Sequence, residues 1–527
     1  TIGSRNTIIG ALAGDALTTG YYNTALGYQA LSSSQTGRNA VAIGYQALMT
    51  EASTNTETYN VAVGYRAGYL VSTGVQNVFI GGSAGDAYTT GGQSVGIGFE
   101  ALSTEDDHGG STAIGYRALK MQDSGAANKN VAVGYNAGTN VTTGVESVFI
   151  GGGAGDAVTT ASANVAIGYN ALSTEDTMGN NVAVGYKALQ DLNAGENGNT
   201  VAIGAEAGRR LSTGVKNTIV GALAGDHLTS GNYNVAIGYQ ALTLEDAHGR
   251  NVAVGYNTLR DLNAGADAYN IAIGYEAGKT VSTGIRNVLI GGDAGITMTS
   301  ASYNIAIGYN ALGDEITNSH NVAIGDASMS SSEYSAKNVA IGSNTLQNVT
   351  NGSSTDTYNT AIGYNAGMNI TTAIRNVLVG GLAGDALTTG NKNVAVGMFA
   401  LSTEDANAGN TAIGYAALEQ QNAGADVYNT AVGYATGSTI TTGGYNTLMG
   451  GFTGDALTTG ADNVAVGYAA LSTEDTHGKN VAIGNYALQD QDAGADAYNV
   501  AIGYNAGKEV TTGLLNTIIG GLAGDAF

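Results

Sequence analysis

A phrase of nine residues, NVAIGYNAL at residues 164–172, recurs in near-copies along the whole 527-residue chain. Few folds tolerate this. With the glycine of AIG as origin, the phrase returns thirty times, from Gly10, Gly27 and Gly44 to Gly503 and Gly520. The interval is 17 residues, stretched at roughly every fourth step to 19, 20 or 21. Three steps of 17 and one of 19 make a superrepeat of 70 residues, kept by Gly64, Gly134, Gly204 and Gly274 and again by Gly363, Gly433 and Gly503. A fixed period of this kind marks a solenoid in which each unit completes the core of its neighbours. The expectation is one repetitive domain over residues 1–527 with an irregular insert at about 326–358. The chain opens at TIGSRN, inside a repeat, and stops inside another, so it reads as the ordered part of a longer polypeptide.

The unit reads as a strand. Counting from the ruler glycine, position −3 is Val, Thr or Ile and position −1 is Ile, Val, Leu or Met. Alternating β-branched positions match a period of two, and the two are expected to face the coil interior. The glycine marks a bend where a side chain would collide with the next turn. Alanine at +3 (Ala30, Ala47, Ala67, Ala171) is small where coils meet. Position −4 is Asn in 25 of 30 coils, which suggests a stacked amide ladder or a turn cap. The chain holds no proline, as a hydrogen-bonded ladder requires. The fold class is therefore all-β: a parallel β-solenoid of about thirty coils, on the order of 140 Å long at strand spacing.

The phrase also changes on a schedule. Position −2 is Ala in most coils and +1 is usually Tyr. In eight coils −2 is bulky (Ile8, Phe79, Phe149, Ile219, Leu289, Leu378, Leu448, Ile518), and there +1 is Gly or Ala. The pattern suggests that Phe149 fills a volume that Tyr135 and Tyr169 fill in neighbouring coils. With −2 pointing outward, that volume is a second apolar seam, which a thin rod would not leave in water. Association along the length of the chain follows.

Here the residues meet a known family. NVAIGYNA resembles the head repeat of YadA-type trimeric autotransporter adhesins, and NTALGYQAL at residues 23–31 is similar to repeats in phage tail fibres. The resemblance covers essentially the whole chain. It implies a left-handed parallel β-roll, a homotrimer, and a structural or adhesive role outside the cell, on a virion or bacterial surface. A phage tail-fibre shaft that carries or forms a host-binding surface leads, and a bacterial adhesin head is the alternative. A fibre-borne glycan depolymerase is a third reading and would need one non-repeating acidic cleft. No catalysis and no cofactor are expected; the receptor, protein or glycan, is not read.

Composition narrows the partners. A net charge of −23 disfavours nucleic acid and anionic membrane surfaces, and no apolar run is long enough for membrane insertion. With no cysteine there are no disulfides or thiolate sites. GYEAGKT at residues 274–280 is one residue short of a phosphate-binding loop, but equivalent coils read GYRAGYL and GYNAGTN, so the repeat already explains it. GGLAGDAL at residues 380–387 superficially matches calcium-binding nonapeptides without their nine-residue period. The acidic loops STEDDHG (103–109), LEDAHG (244–249) and STEDTHG (472–478) offer the metal-ligand candidates His108, Asp106, His248, Asp246, His477 and Asp475. One related loop carries Met178 in place of His, and a solvated acidic loop is the preferred reading. Threonine pairs such as Thr18–Thr19 and Thr89–Thr90 occur in only two of every four coils, so they form no continuous ice-binding face. The long loops at residues 48–59 and 346–358 are the places where binding would vary.

Overall fold

In every coil the residues at −3 to −1 form a strand of three, as in Val148–Ile150 and Val165–Ile167. Strands one coil apart pair in parallel without slippage: Val148 faces Val165, Phe149 faces Ala166 and Ile150 faces Ile167. The computed structural model describes residues 3–54, 57–125, 127–175, 177–195 and 197–526, with the side chains of 351–355 outside the description. It contains two units, residues 1–268 and 269–527. The first stacks fifteen such strands, from Thr7–Ile9 to Val252–Val254, and the second fifteen, from Ile271–Ile273 to Thr517–Ile519. No helix occurs among the described residues. The chain is an all-β parallel solenoid.

The ruler glycine is required twice over. Its φ lies near +135 to +146° in almost every coil, as in Gly134 (146°) and Gly168 (136°). A Cβ on Gly151 would also meet the carbonyl oxygen of Gly168 at 2.5 Å. Only glycine fits both conditions.

The expected facing of the strand is reversed. Ala166 and Phe149, at −2, are wholly buried, whereas Val and Ile at −3 and −1 are half-buried or exposed. Alternation identifies two faces but does not say which is inside. Here the coil is narrow, and the small residue faces in. The interior opposite Ala at −2 is filled by Leu at +4, for example Leu172 and Leu189, both fully buried.

This corrects the meaning of the scheduled change. Phe149 does not share a volume with Tyr135 and Tyr169: it lies inside the coil, and they lie outside, 63% and 56% exposed. The exchange runs between −2 and +4. In all eight bulky coils +4 is glycine, as it is in the coil preceding each of the last seven (Gly138 before Gly155). A Cβ on Gly138 would stand 2.9 Å from the Phe149 ring, and one on Gly155 would run into that ring. The backbone at +4 is left-handed in both coil types, φ 51° at Leu172 and 59° at Gly155. Glycine is there for room and not for conformation.

The asparagines at −4 form the expected ladder. The Asn287 side-chain oxygen accepts the Asn304 N–H at 2.9 Å, and its amide donates to the Ala301 carbonyl at 2.9 Å. Where Ser147 replaces Asn, its hydroxyl accepts the Asn164 N–H at 3.1 Å. These side chains are buried, and each satisfies backbone groups that would otherwise be unpaired.

The irregular stretch near 326–358 does not interrupt the ladder, because Val339–Ile341 pairs with both Val322–Ile324 and Thr360–Ile362. It adds a second, two-stranded parallel sheet, Glu333–Ala336 with Thr350–Asp356.

Candidate functional site

The acidic loops were the strongest chemical candidates. Each contains a glutamate with no exposed surface: Glu105, Glu245 and Glu474. One carboxylate oxygen of Glu245 accepts the N–H of His248 at 3.0 Å, and Glu474 does the same for His477 at 3.0 Å. Ligand atoms of Glu245, Asp246 and His248 come together within 4.8 Å, as do those of Glu474, Asp475 and His477. In the first loop His108 groups with Glu105 and Asp107, while Asp106 turns to Glu105 and Asp123, so Asp106 and His108 do not share one cluster.

The same glutamate stands where no histidine follows. Glu175 accepts the N–H of Met178 at 2.9 Å, Glu315 that of Asn318 at 2.9 Å and Glu404 that of Asn407 at 3.0 Å. The glutamate therefore closes a turn, and the histidine is incidental to it. Burial pushes Glu315 up to about 7, and the same cause raises Glu105, Glu245, Glu404 and Glu474. The threonine pairs are explained as well: the Thr89 hydroxyl donates to the Asp106 carbonyl at 2.6 Å and that of Thr458 to Asp475 at 2.8 Å. They tie one coil to the turn of the next, as Thr18 does to Gln35 at 3.0 Å where that turn is not acidic.

Lys279 of GYEAGKT pairs with Glu276 at 3.0 Å on a coil corner. In the long loop at 48–59, Asn55 and Thr56 lie outside the described residues, and so do the side chains of 351–355 in the loop at 346–358.

The outer strand face carries the larger signal. Ile80, Ile114, Ile150 and Ile203, all at −1, are each more than a third exposed, and they form an apolar stripe with the residues at −3. Beside it runs a row of aromatic rings at +1. Tyr28 stacks on Tyr45 at 5.4 Å and Tyr45 on Tyr65 at 5.3 Å, within 17° of parallel. Phe99, Tyr116 and Tyr135 repeat the triple at 5.7 and 5.1 Å. Gly82 and Gly152 interrupt the row, and the ring beside the gap is the more exposed: Tyr135 at 63% against Tyr116 at 36%. The row belongs to the outward seam that the sequence leads one to expect; the reversed strand facing changes its neighbours to the −3 and −1 residues in place of the bulky −2 residues.

No family model matches the chain, and no curated protein matches it.

Proposed function

We propose that the chain is a segment of an extended attachment fibre outside the cell, a phage tail-fibre shaft or a bacterial adhesin head. It associates lengthwise with copies of itself and performs no catalysis. Three chains per fibre are taken from the resemblance of NVAIGYNA and NTALGYQAL to adhesin-head and tail-fibre repeats. The observation that carries the association is the apolar stripe of −3 and −1 residues, exposed in coil after coil. Packing these stripes against one another removes them from water along the whole ladder. The tyrosine row lies at the edge of the stripe and remains available for attachment.

The test is analytical ultracentrifugation of the chain over a wide dilution range. The expected result is a trimer that loses mass and β-structure together. A folded monomer would remove the association.

A further inference from the structure

We infer that the gaps in the tyrosine row at Gly82, Gly152 and Gly292 are slots for a neutral pyranose ring whose hydroxyls are all equatorial, as in gluco-configured sugars. This deepens the attachment reading, and it rests on that reading only in requiring the tyrosine row to lie outside the seam between chains.

One glycine in each of these coils is not required by the fold. Gly82, Gly152 and Gly292 occupy a position where most coils carry Tyr, and their backbone is not left-handed. A Cβ on Gly152 would meet nothing closer than the Tyr169 ring at 3.6 Å; for Gly82 the nearest atom is on Phe99 at 3.3 Å, and for Gly292 on Tyr309 at 3.4 Å. The bulky residue of the same coil lies inside and does not compete for this space. The missing side chain leaves one coil without a ring between two exposed rings, such as Tyr135 and Tyr169.

The chain itself shows that such a slot accepts a ring. In the equivalent gap at Gly451, the side chain of the next residue, Phe452, swings between the two walls. Its ring centroid is 5.2 Å from Tyr434 and 5.9 Å from Tyr468, turned 62° and 81° from them. The open slots carry Ser83, Gly153 and Asp293 at that position, none of which can fill them.

Thickness selects the occupant. Two coil steps separate the backbones that carry the walls by about 9.6 Å. A flat ring stacked on both walls needs only about 7 Å, twice the closest carbon–carbon separation, which is why Phe452 stands edgewise. A chair pyranose is thicker. When its hydroxyls are equatorial, it directs axial C–H bonds from both faces, and these meet the electron-rich faces of the two tyrosines. The equatorial hydroxyls then point outward, and the residues that follow the wall rings are polar: Asn136 and Asn170 at Gly152, Arg66 and Glu100 at Gly82, and Glu276 and Asn310 at Gly292. The chain's net charge of −23 disfavours an anionic sugar.

The test titrates the assembled full chain with cellotetraose and chitotetraose, with an α-mannotetraose and N-acetylphenylalanine amide as contrasts. Calorimetry supplies the stoichiometry, saturation-transfer NMR the ring face in contact, and sedimentation the assembly state. The two gluco-configured probes should bind at three sites per chain, with transfer to axial ring protons. Filling the slots as Phe452 does, with Ser83→Phe, Gly153→Phe and Asp293→Phe together, should weaken binding more than about tenfold without altering sedimentation. Phe452→Ser should open a fourth site. Absence of binding to an assembled fibre overturns the proposal, as does binding that the triple variant leaves unchanged or preference for the aromatic amide. Binding by an unassociated chain would uphold the slots and overturn the association instead.

Discussion

Phe149 and Gly155 show how one residue's size is set by another's absence. The Phe149 ring covers two glycines, Gly138 and Gly155, in successive coils. Phe149→Ala should leave a cavity costing about 3–5 kcal/mol. Gly155→Leu alone should overpack the same space, costing about 1–3 kcal/mol or more. Together they recreate the Ala and Leu of the majority coil, and much of the loss should return, well beyond the few tenths of a kcal/mol expected of independent sites. Gly152→Tyr, on the outer face, should instead add to Phe149→Ala without coupling. Thermal melting of the four variants decides the matter, and additive losses for the first pair would refute the shared volume. Part of this was legible in the letters alone. The bulk at −2 and the glycine at +4 both stand in the sequence, but +1 changes on the same schedule, so the letters alone do not say which position shares the volume. Facing cannot be recovered from a three-residue alternation, because its sign depends on how wide the coil is.

At the level of the strand and its turns, two buried polar series hold the ladder together. Asn287→Ala strips a partner from the Asn304 N–H and the Ala301 carbonyl, and should destabilise by about 1–3 kcal/mol. Asn287→Ser keeps an acceptor, as Ser147 does, and should cost distinctly less by denaturant melting. The glutamates titrate in the opposite sense to an ion-paired carboxylate. Burial lifts Glu51 and Glu315 from an ordinary value of 4.5 to about 7. Between those values the folded chain binds more protons than the unfolded one, so this contribution is fully present below about pH 4.5 and is lost as pH rises through about 7. It amounts to at most about 3 kcal/mol per glutamate. Glu51→Gln with Glu315→Gln should narrow the difference in melting temperature between pH 5 and pH 8; an unchanged difference would show that these carboxyls stay charged. The asparagine ladder was readable from its spacing. The glutamates' burial was not, since an acidic loop looks solvated in any sequence, and only a closed turn shows which carboxylate has been drawn inside.

For the molecule as a whole, the fold class was legible throughout, because thirty copies of a phrase leave little else to form. The seam expected from the sequence pairs the tyrosines with the bulky −2 residues; the structure turns those residues inward and leaves the tyrosines exposed beside −3 and −1. The association proposed above therefore rests on the exposed −3 and −1 stripe in place of the −2 residues.

The pairing of Phe149 with glycine at +4 has a consequence for how such a chain can change its length. Cutting out residues 135–204 removes 70 residues and brings Ile219 into the place of Phe149, with Gly208 preceding it and Gly225 beneath it. Every kind of neighbour is preserved, and the shortened chain should melt within a few degrees of its parent. Excising a single coil, residues 152–168, instead joins Phe149 to Leu172 in one turn, the same overpacking as Gly155→Leu, and should cost about 1–3 kcal/mol or more and lower the melting temperature measurably. Equal melting of the two deletions would contradict this. Insertions and losses by unequal exchange between copies are then tolerated in steps of four coils and rejected at many smaller steps. Length becomes a quantised, heritable property of the solenoid, and each step of four carries with it a place for one gap in the tyrosine row.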